Sequence, residues 1–72
     1  MMLHNRLRQI RQNCNLTQQE LAQAVHVSRQ TIIAIEKGGY APSVELALKL
    51  AGHLKCSVED LFWLQGTNGR SK

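Results

Sequence analysis

Arg29 and Gln30 are adjacent in the chain, and both carry side chains that pair bidentately with base edges. Arginine matches guanine O6 and N7, and glutamine matches adenine N6 and N7. On a helix at 100° per residue, with Ile32 and Ile35 turned inward, Gln30, Ile33 and Lys37 face out and Arg29 and Ala34 flank them. Ile33 has no core to enter on that face. Contact with a thymine methyl would use it; it could equally be a single exposed apolar residue of the ordinary kind. Gln18 offers a different chemistry. As the first helical residue after a Thr17 cap, its free amide and side chain can meet a phosphate at a positive dipole end.

Other chemistries are thinly represented. His53-x-x-Cys56 brings two metal-ligand types together, but two ligands do not close a zinc site, and Cys14 supplies no fourth. A Cys–His nucleophile pair would have neither a pocket nor an oxyanion device. The reading is therefore no catalytic residue, no metal and no cofactor. Cys14 and Cys56 form no C-x-x-C and are too few to staple a secreted scaffold. The N-terminus turns polar after Leu3, and no apolar run exceeds four residues, the length of Leu61-Phe62-Trp63-Leu64, which is far too short to span a bilayer. A cytoplasmic, reduced setting without membrane contact is expected.

Seventy-two residues make one small domain, which buries only about 60% of its unfolded surface and has no room for a cleft between domains. Hydrophobic residues at 43% and charged residues at 19% indicate a globular chain. Nine Lys and Arg against five Asp and Glu give a net charge of +4. Residues 1–40 hold +3 of it and residues 41–72 hold +1. The excess lies with the residues singled out above and suits a polyanionic partner.

Helical spacing accounts for almost the whole chain. Leu3, Leu7, Ile10 and Cys14 fall on one stripe of a first helix, opposite Arg6, Arg8, Gln9 and Gln12, and Asn15 fits the left-handed residue that ends it. Thr17-x-x-Glu20 is a capping box that opens a second helix, about Gln18–Val25, with Leu21, Ala22 and Val25 on one side. Ser28 caps a third helix running to Lys37, which Gly38-Gly39 stops. Pro42-Ser43 starts a fourth, rich in apolar residues from Val44 to Leu54. Ser57-x-x-Asp60, another capping box, opens a short fifth helix through Leu64. No β-alternation is visible. The expected architecture is all-α, a compact five-helix bundle over residues 1–64 with a flexible tail at 65–72.

The link between the second and third helices is only Val25-His26-Val27, too short to return the chain antiparallel. It forces the steep crossing of a helix-turn-helix at about 18–37, with small Ala22 at the contact. Leu16–Gly38, Leu-Thr-Gln-Gln-Glu-Leu-Ala-Gln-Ala-Val-His-Val-Ser-Arg-Gln-Thr-Ile-Ile-Ala-Ile-Glu-Lys-Gly, resembles the phage repressor/Cro-type, or XRE, helix-turn-helix family. The likeness covers roughly Asn5–Leu64, including Pro42-Ser43-x-Glu45-Leu46-Ala47-Leu48-Lys49-Leu50-Ala51 and Ser57-Val58-Glu59-Asp60-Leu61-Phe62, and is similar to the short stand-alone bacterial regulators.

That resemblance implies the fold of the phage repressor DNA-binding domain, and double-stranded DNA as the partner. It implies base contacts at Arg29, Gln30 and Ala34 with Ser28 and Thr31 adjacent. It also implies backbone contacts at Gln18 beside Thr17 and at Lys37, Tyr40 and Ser43 around the following loop. Arg11 and Glu36 match a partly buried salt bridge of the family, with Arg11 reaching a phosphate as well. The family usually has glycine in the turn where this chain has His26, which costs about 1 kcal/mol in a left-handed conformation. His26 is either a tolerated turn residue or a pH sensor.

Leu61-Phe62-Trp63-Leu64 covers all sides of a helix, of which so small a bundle buries one. Phe62, Trp63 and Leu64 are thus the expected homodimer interface. The whole reads as a dimeric, sequence-specific transcriptional regulator, a repressor on a palindromic operator. The alternative is an antitoxin-like or adaptor module that uses the same fold to bind a protein partner.

Overall fold

Hydroxyl caps set most of the helix starts. In the computed structural model, which describes residues 2–65, Thr17 caps α2 (Gln18–Ala24), Ser28 caps α3 (Arg29–Lys37), Ser43 caps α4 (Val44–Leu54) and Ser57 caps α5 (Val58–Leu61). Each hydroxyl oxygen accepts from the third helical amide, a donor without a partner inside the helix. Both capping boxes close: the Glu20 carboxylate accepts from the Thr17 amide at 2.8 Å and Asp60 from the Ser57 amide at 3.1 Å. Hydrogen bonds from Ser57 hold the Asp60 carboxyl below the usual carboxylate range. The remaining helix, α1 (Leu7–Asn13), has no such cap; the Asn5 side-chain oxygen accepts from the Leu7 amide at 3.1 Å instead.

Asn15, His26 and Gly38 take the left-handed conformation expected of them, with φ of 61°, 62° and 86°. Lys55 does so too, at 59°, where its sequence gave no sign. Cys14 departs from its expected inward position. The buried face of α1 is Leu7 and Arg11, which turns the stripe away from Cys14 and leaves that thiol exposed.

The larger correction concerns the two ends. Leu3 does not begin a helix, and the fifth helix stops at Leu61. β1 (Leu3–Asn5) pairs antiparallel with β2 (Phe62–Leu64) in the register Leu3–Leu64, His4–Trp63 and Asn5–Phe62. The Arg6 amide donates to the Leu61 carbonyl at 3.0 Å and the Gln65 amide to Met2 at 2.8 Å, lengthening the ladder at both ends. Gln65 therefore belongs to this ribbon and not to a tail; the rest of the expected tail, 66–72, lies outside the described residues. Pleating sends alternate residues to opposite faces. Phe62 turns inward and is 8% exposed, whereas Trp63 and Leu64 are 40% and 44% exposed. Phe62 is thus a core residue, and its assignment to a dimer interface is corrected.

The core draws one or more side chains from every helix: Leu7, Leu21, Ile32, Ile35, Leu50 and Leu61 are fully buried. Among the described residues the architecture is five helices with a two-stranded ribbon joining Leu3–Asn5 to Phe62–Leu64.

Candidate nucleic-acid interface

α2 and α3 cross on an apolar wedge of Leu21, Ala22, Val25, Ile32 and Ile35, all buried. The turn is drawn tight by the Val27 amide, which donates to the Ala22 carbonyl at 3.0 Å. The absent Cβ branch and small volume of Ala22 leave room for that approach. Burial on this side fixes which residues of α3 look outward.

Arg29 and Gln30, in its first turn, are exposed, and neither makes a hydrogen bond or ion pair among the described residues. Their base-reading groups are uncommitted. Ile33 and Ala34 are half-buried along the same helix. Ser28 and Thr31 are joined, hydroxyl to hydroxyl at 3.1 Å, and the Ser28 oxygen also accepts from the Thr31 amide.

Two open concavities flank α3. One, of about 460 Å³, gathers Thr17, Gln18, Ile33 and Lys37, with Arg8 at its rim and the Arg11–Glu36 pair at its base. The other, of about 290 Å³, brings together Thr31, Tyr40 and Ser43 beside His26 and Lys49. Thr31 and Ile33 lie about 200° apart on the helix wheel, so the residues expected to meet phosphates fall into two groups on opposite sides of α3.

Under the first group runs a buried polar network. The Arg11 Nε donates to Glu36 Oε2 at 2.7 Å, with the side chains 9% and 5% exposed. A second Arg11 nitrogen donates to the Leu16 carbonyl at 2.7 Å, and a third lies 3.5 Å from Glu36 Oε1. Arg11 commits three donors within the protein and joins α1 to α3, while still lining the groove beside Gln18 and Lys37. Gln18 is part of the same network. Its Nε2 donates to Glu36 Oε1 at 3.1 Å, and because an amide nitrogen carries two hydrogens, the second is left to point elsewhere.

Three residues outside the expected set also shape the interface. Asn5 Nδ2 donates to the Ile35 carbonyl at 2.8 Å, tying the ribbon to α3. The His4 ring stacks on Trp63 with centroids 6.0 Å apart, and the Arg6 guanidinium lies 4.8 Å from the Trp63 ring centroid. Trp63 is therefore partly covered by its own ribbon. No sequence pattern marks these contacts, since each joins residues far apart in the chain.

His53 and Cys56 do not gather with a third ligand: among the described residues no group of three His, Cys, Asp or Glu could hold a metal. Burial pushes the Cys56 thiol up, with Asp60 and Cys14 adding to it. That is the wrong direction for a thiolate nucleophile. No helix among the described residues is long and apolar enough to cross a membrane.

A helix-turn-helix family profile matches residues 7–61. The HTH-type transcriptional regulator YgzD of Bacillus subtilis is 41% identical over 66 residues, covering 92% of this chain and 100% of that protein. An HTH-type transcriptional regulator of Methanocaldococcus jannaschii is 52% identical over 60 residues, covering 83% of this chain and 91% of its own. Among solved structures, the restriction-modification controller protein C.AhdI from Aeromonas hydrophila superposes with a TM-score of 0.70 at 30% identity, covering 75% of this chain and 82% of the other.

Proposed function

Because the chain belongs to the helix-turn-helix family of DNA-binding transcriptional regulators, we propose that it reads a short palindromic operator as a dimer and represses by occupying it. The observation that carries this reading is the pair Arg29 and Gln30, adjacent, exposed and uncommitted at the start of a helix whose other side is locked into the core. Helix-turn-helix proteins present that first turn to base edges in the major groove. Ser28, Thr31, Ile33 and Ala34 complete the reading face. Thr17, Gln18 and Lys37 grip one flanking backbone, and Tyr40 and Ser43 the other. A reduced cytoplasmic setting is part of this reading, in keeping with Cys14 and Cys56 as free thiols.

Binding of wild-type protein to a selected site and to an unrelated duplex, titrated with salt, tests the function. Each phosphate neutralised by a cation contributes about −0.9 to the log–log slope, so a clearly negative slope is expected, and a regulator prefers its site by about 10³ or more. A flat, sequence-blind curve would leave only the protein-interaction reading. Arg29→Ala is expected to lower operator affinity by about 1–3 kcal/mol and to relax discrimination at one base pair; a uniform loss across all sequences would refute its base contact.

Dimerisation through the exposed end of the ribbon, where Trp63 stands on one face and Leu64 on the other, is the reading their exposure supports. With a radius of gyration of 12.0 Å, two touching copies stand on the order of 30 Å apart, near the ~34 Å between successive major grooves on one face of a duplex. Trp63→Asp is expected to shift sedimentation to the monomer mass while the variant still unfolds in one cooperative transition, at a lower midpoint because its ring contacts with His4 and Arg6 are lost. A wild-type mass retained in that variant counts against the ribbon as the interface.

A further inference from the structure

We propose that Arg8, on α1 and outside the helix-turn-helix, clamps the DNA backbone together with Lys37 across the groove beside α3. The inference rests on the operator-binding reading above and adds a positioning residue to it.

Three cations open the chain, and the structure separates their roles. Arg11 is buried against Glu36, and Arg6 lies over the Trp63 ring. Arg6 and Arg8 are both exposed, but Arg6 is held over the Trp63 ring, whereas the Arg8 side chain makes no hydrogen bond, ion pair or ring contact among the described residues. It stands on the ridge between two open grooves, one of about 460 Å³ shared with Gln18, Ile33 and Lys37, the other of about 560 Å³ shared with Gln9 and Gln12. Glu36 is the one carboxylate lining either groove. Both of its oxygens are engaged, Oε2 by Arg11 at 2.7 Å and Oε1 by Gln18 at 3.1 Å. The positive field of Arg8 and Lys37 therefore meets solvent without a free counter-charge between them.

The position of the groove names the anion. Ile33 lines it and also belongs to the outward side of α3. A helix with its side chains is about 10–12 Å across and a B-form major groove about 12 Å wide, so a helix seated there fills it. The sugar-phosphate strand must then pass along the flank of α3, over this groove. Two cations with a half-free glutamine amide between them match successive phosphate oxygens, and the planar arginine fork can hold two oxygens at once. Contacts of this kind fix register and carry no base information.

Arg8→Gln removes the charge while keeping length and polarity, and its melting curve is expected to overlay the wild type. With one Arg8 lost from each protomer of the dimer, the slope of log affinity against log salt should flatten by about 1.8, and affinity at 0.15 M salt should fall about thirtyfold, equally for operator and unrelated duplex. Lys37→Gln should behave alike. A sequence-selective wild type whose slope Arg8→Gln leaves untouched, or a loss confined to the operator, overturns the clamp alone. A wild type with no salt-dependent preference for any sequence overturns both the clamp and the operator reading.

Discussion

Glu36→Ala is expected to destabilise the domain by about 3–5 kcal/mol, because it strands a buried guanidinium. The Arg11 side chain is 9% exposed, and its pairing with Glu36 is made at 2.7 Å. Without the carboxylate, only the Leu16 carbonyl still accepts from it. Native domains have about 5–15 kcal/mol in total, and a chain this short sits low in that range. At roughly 4–8 °C per kcal/mol for a domain of this size, the thermal midpoint should fall by at least about 12 °C. The partner change is diagnostic. Arg11→Met combined with Glu36→Leu removes both charges at similar volume and should recover most of the loss, since a buried pair is little better than packed apolar groups. The double variant should nevertheless bind all DNA sequences more weakly, because the Gln18 amide loses the carboxylate that aims it. Circular dichroism melts check the first part. A Glu36→Ala midpoint within about 2 °C of wild type would mean that the pair is solvated and that α1 and α3 are joined by apolar packing alone.

This buried pair marks the limit of what the chain discloses by itself. Signals that act within four residues were legible: the Thr17–Glu20 and Ser57–Asp60 boxes, the Gly38 stop and the outward face of α3 all depend on local geometry. The two-stranded ribbon depends on Leu3 meeting Leu64, and strands of three residues are too short to show alternation. Leu61–Leu64 is apolar throughout, so its pattern fits a helix and a strand equally; the Asn5–Phe62 pairing decides between them. Burial of Phe62 and partial cover of Trp63 follow from that pairing, which is why the expected dimer face is smaller than the apolar run suggested. The same distance effect hid Arg8. On the first helix it reads as one of several solvated cations, and only the packing of α1 against α3 through Arg11 and Glu36 sets it beside Lys37. Arg11 itself was legible as a salt-bridge partner only through family resemblance.

Two isoleucines on one helix give the sharpest separation of scaffold from reader. Ile35 is fully buried in the cluster with Leu7, Leu21, Leu50 and Leu61, and its carbonyl accepts from Asn5 at 2.8 Å. Ile35→Ala is expected to cost about 2–5 kcal/mol, the lost transfer energy plus the cavity left beneath α3. A small core with few layers has little means to collapse into that space, so the upper half of the range is expected. Ile33 is half-buried at the edge of the groove beside Arg8 and Lys37. Ile33→Ala should move stability by less than about 1 kcal/mol, because much of the side chain is already in water. The order reverses on DNA. At a temperature where both variants are folded, Ile35→Ala should keep the wild-type ranking of sites, since its side chain never reaches a base. Ile33→Ala should lose affinity selectively for sites with thymine at one position, where the methyl contact is removed. Urea melts and competition binding on a set of single-base variants measure the two effects independently. Equal stability losses would mean that Ile33 belongs to the core and that the reading face is narrower than drawn. A changed site ranking in Ile35→Ala would mean that the pose of α3, and not the side chains it presents, sets specificity.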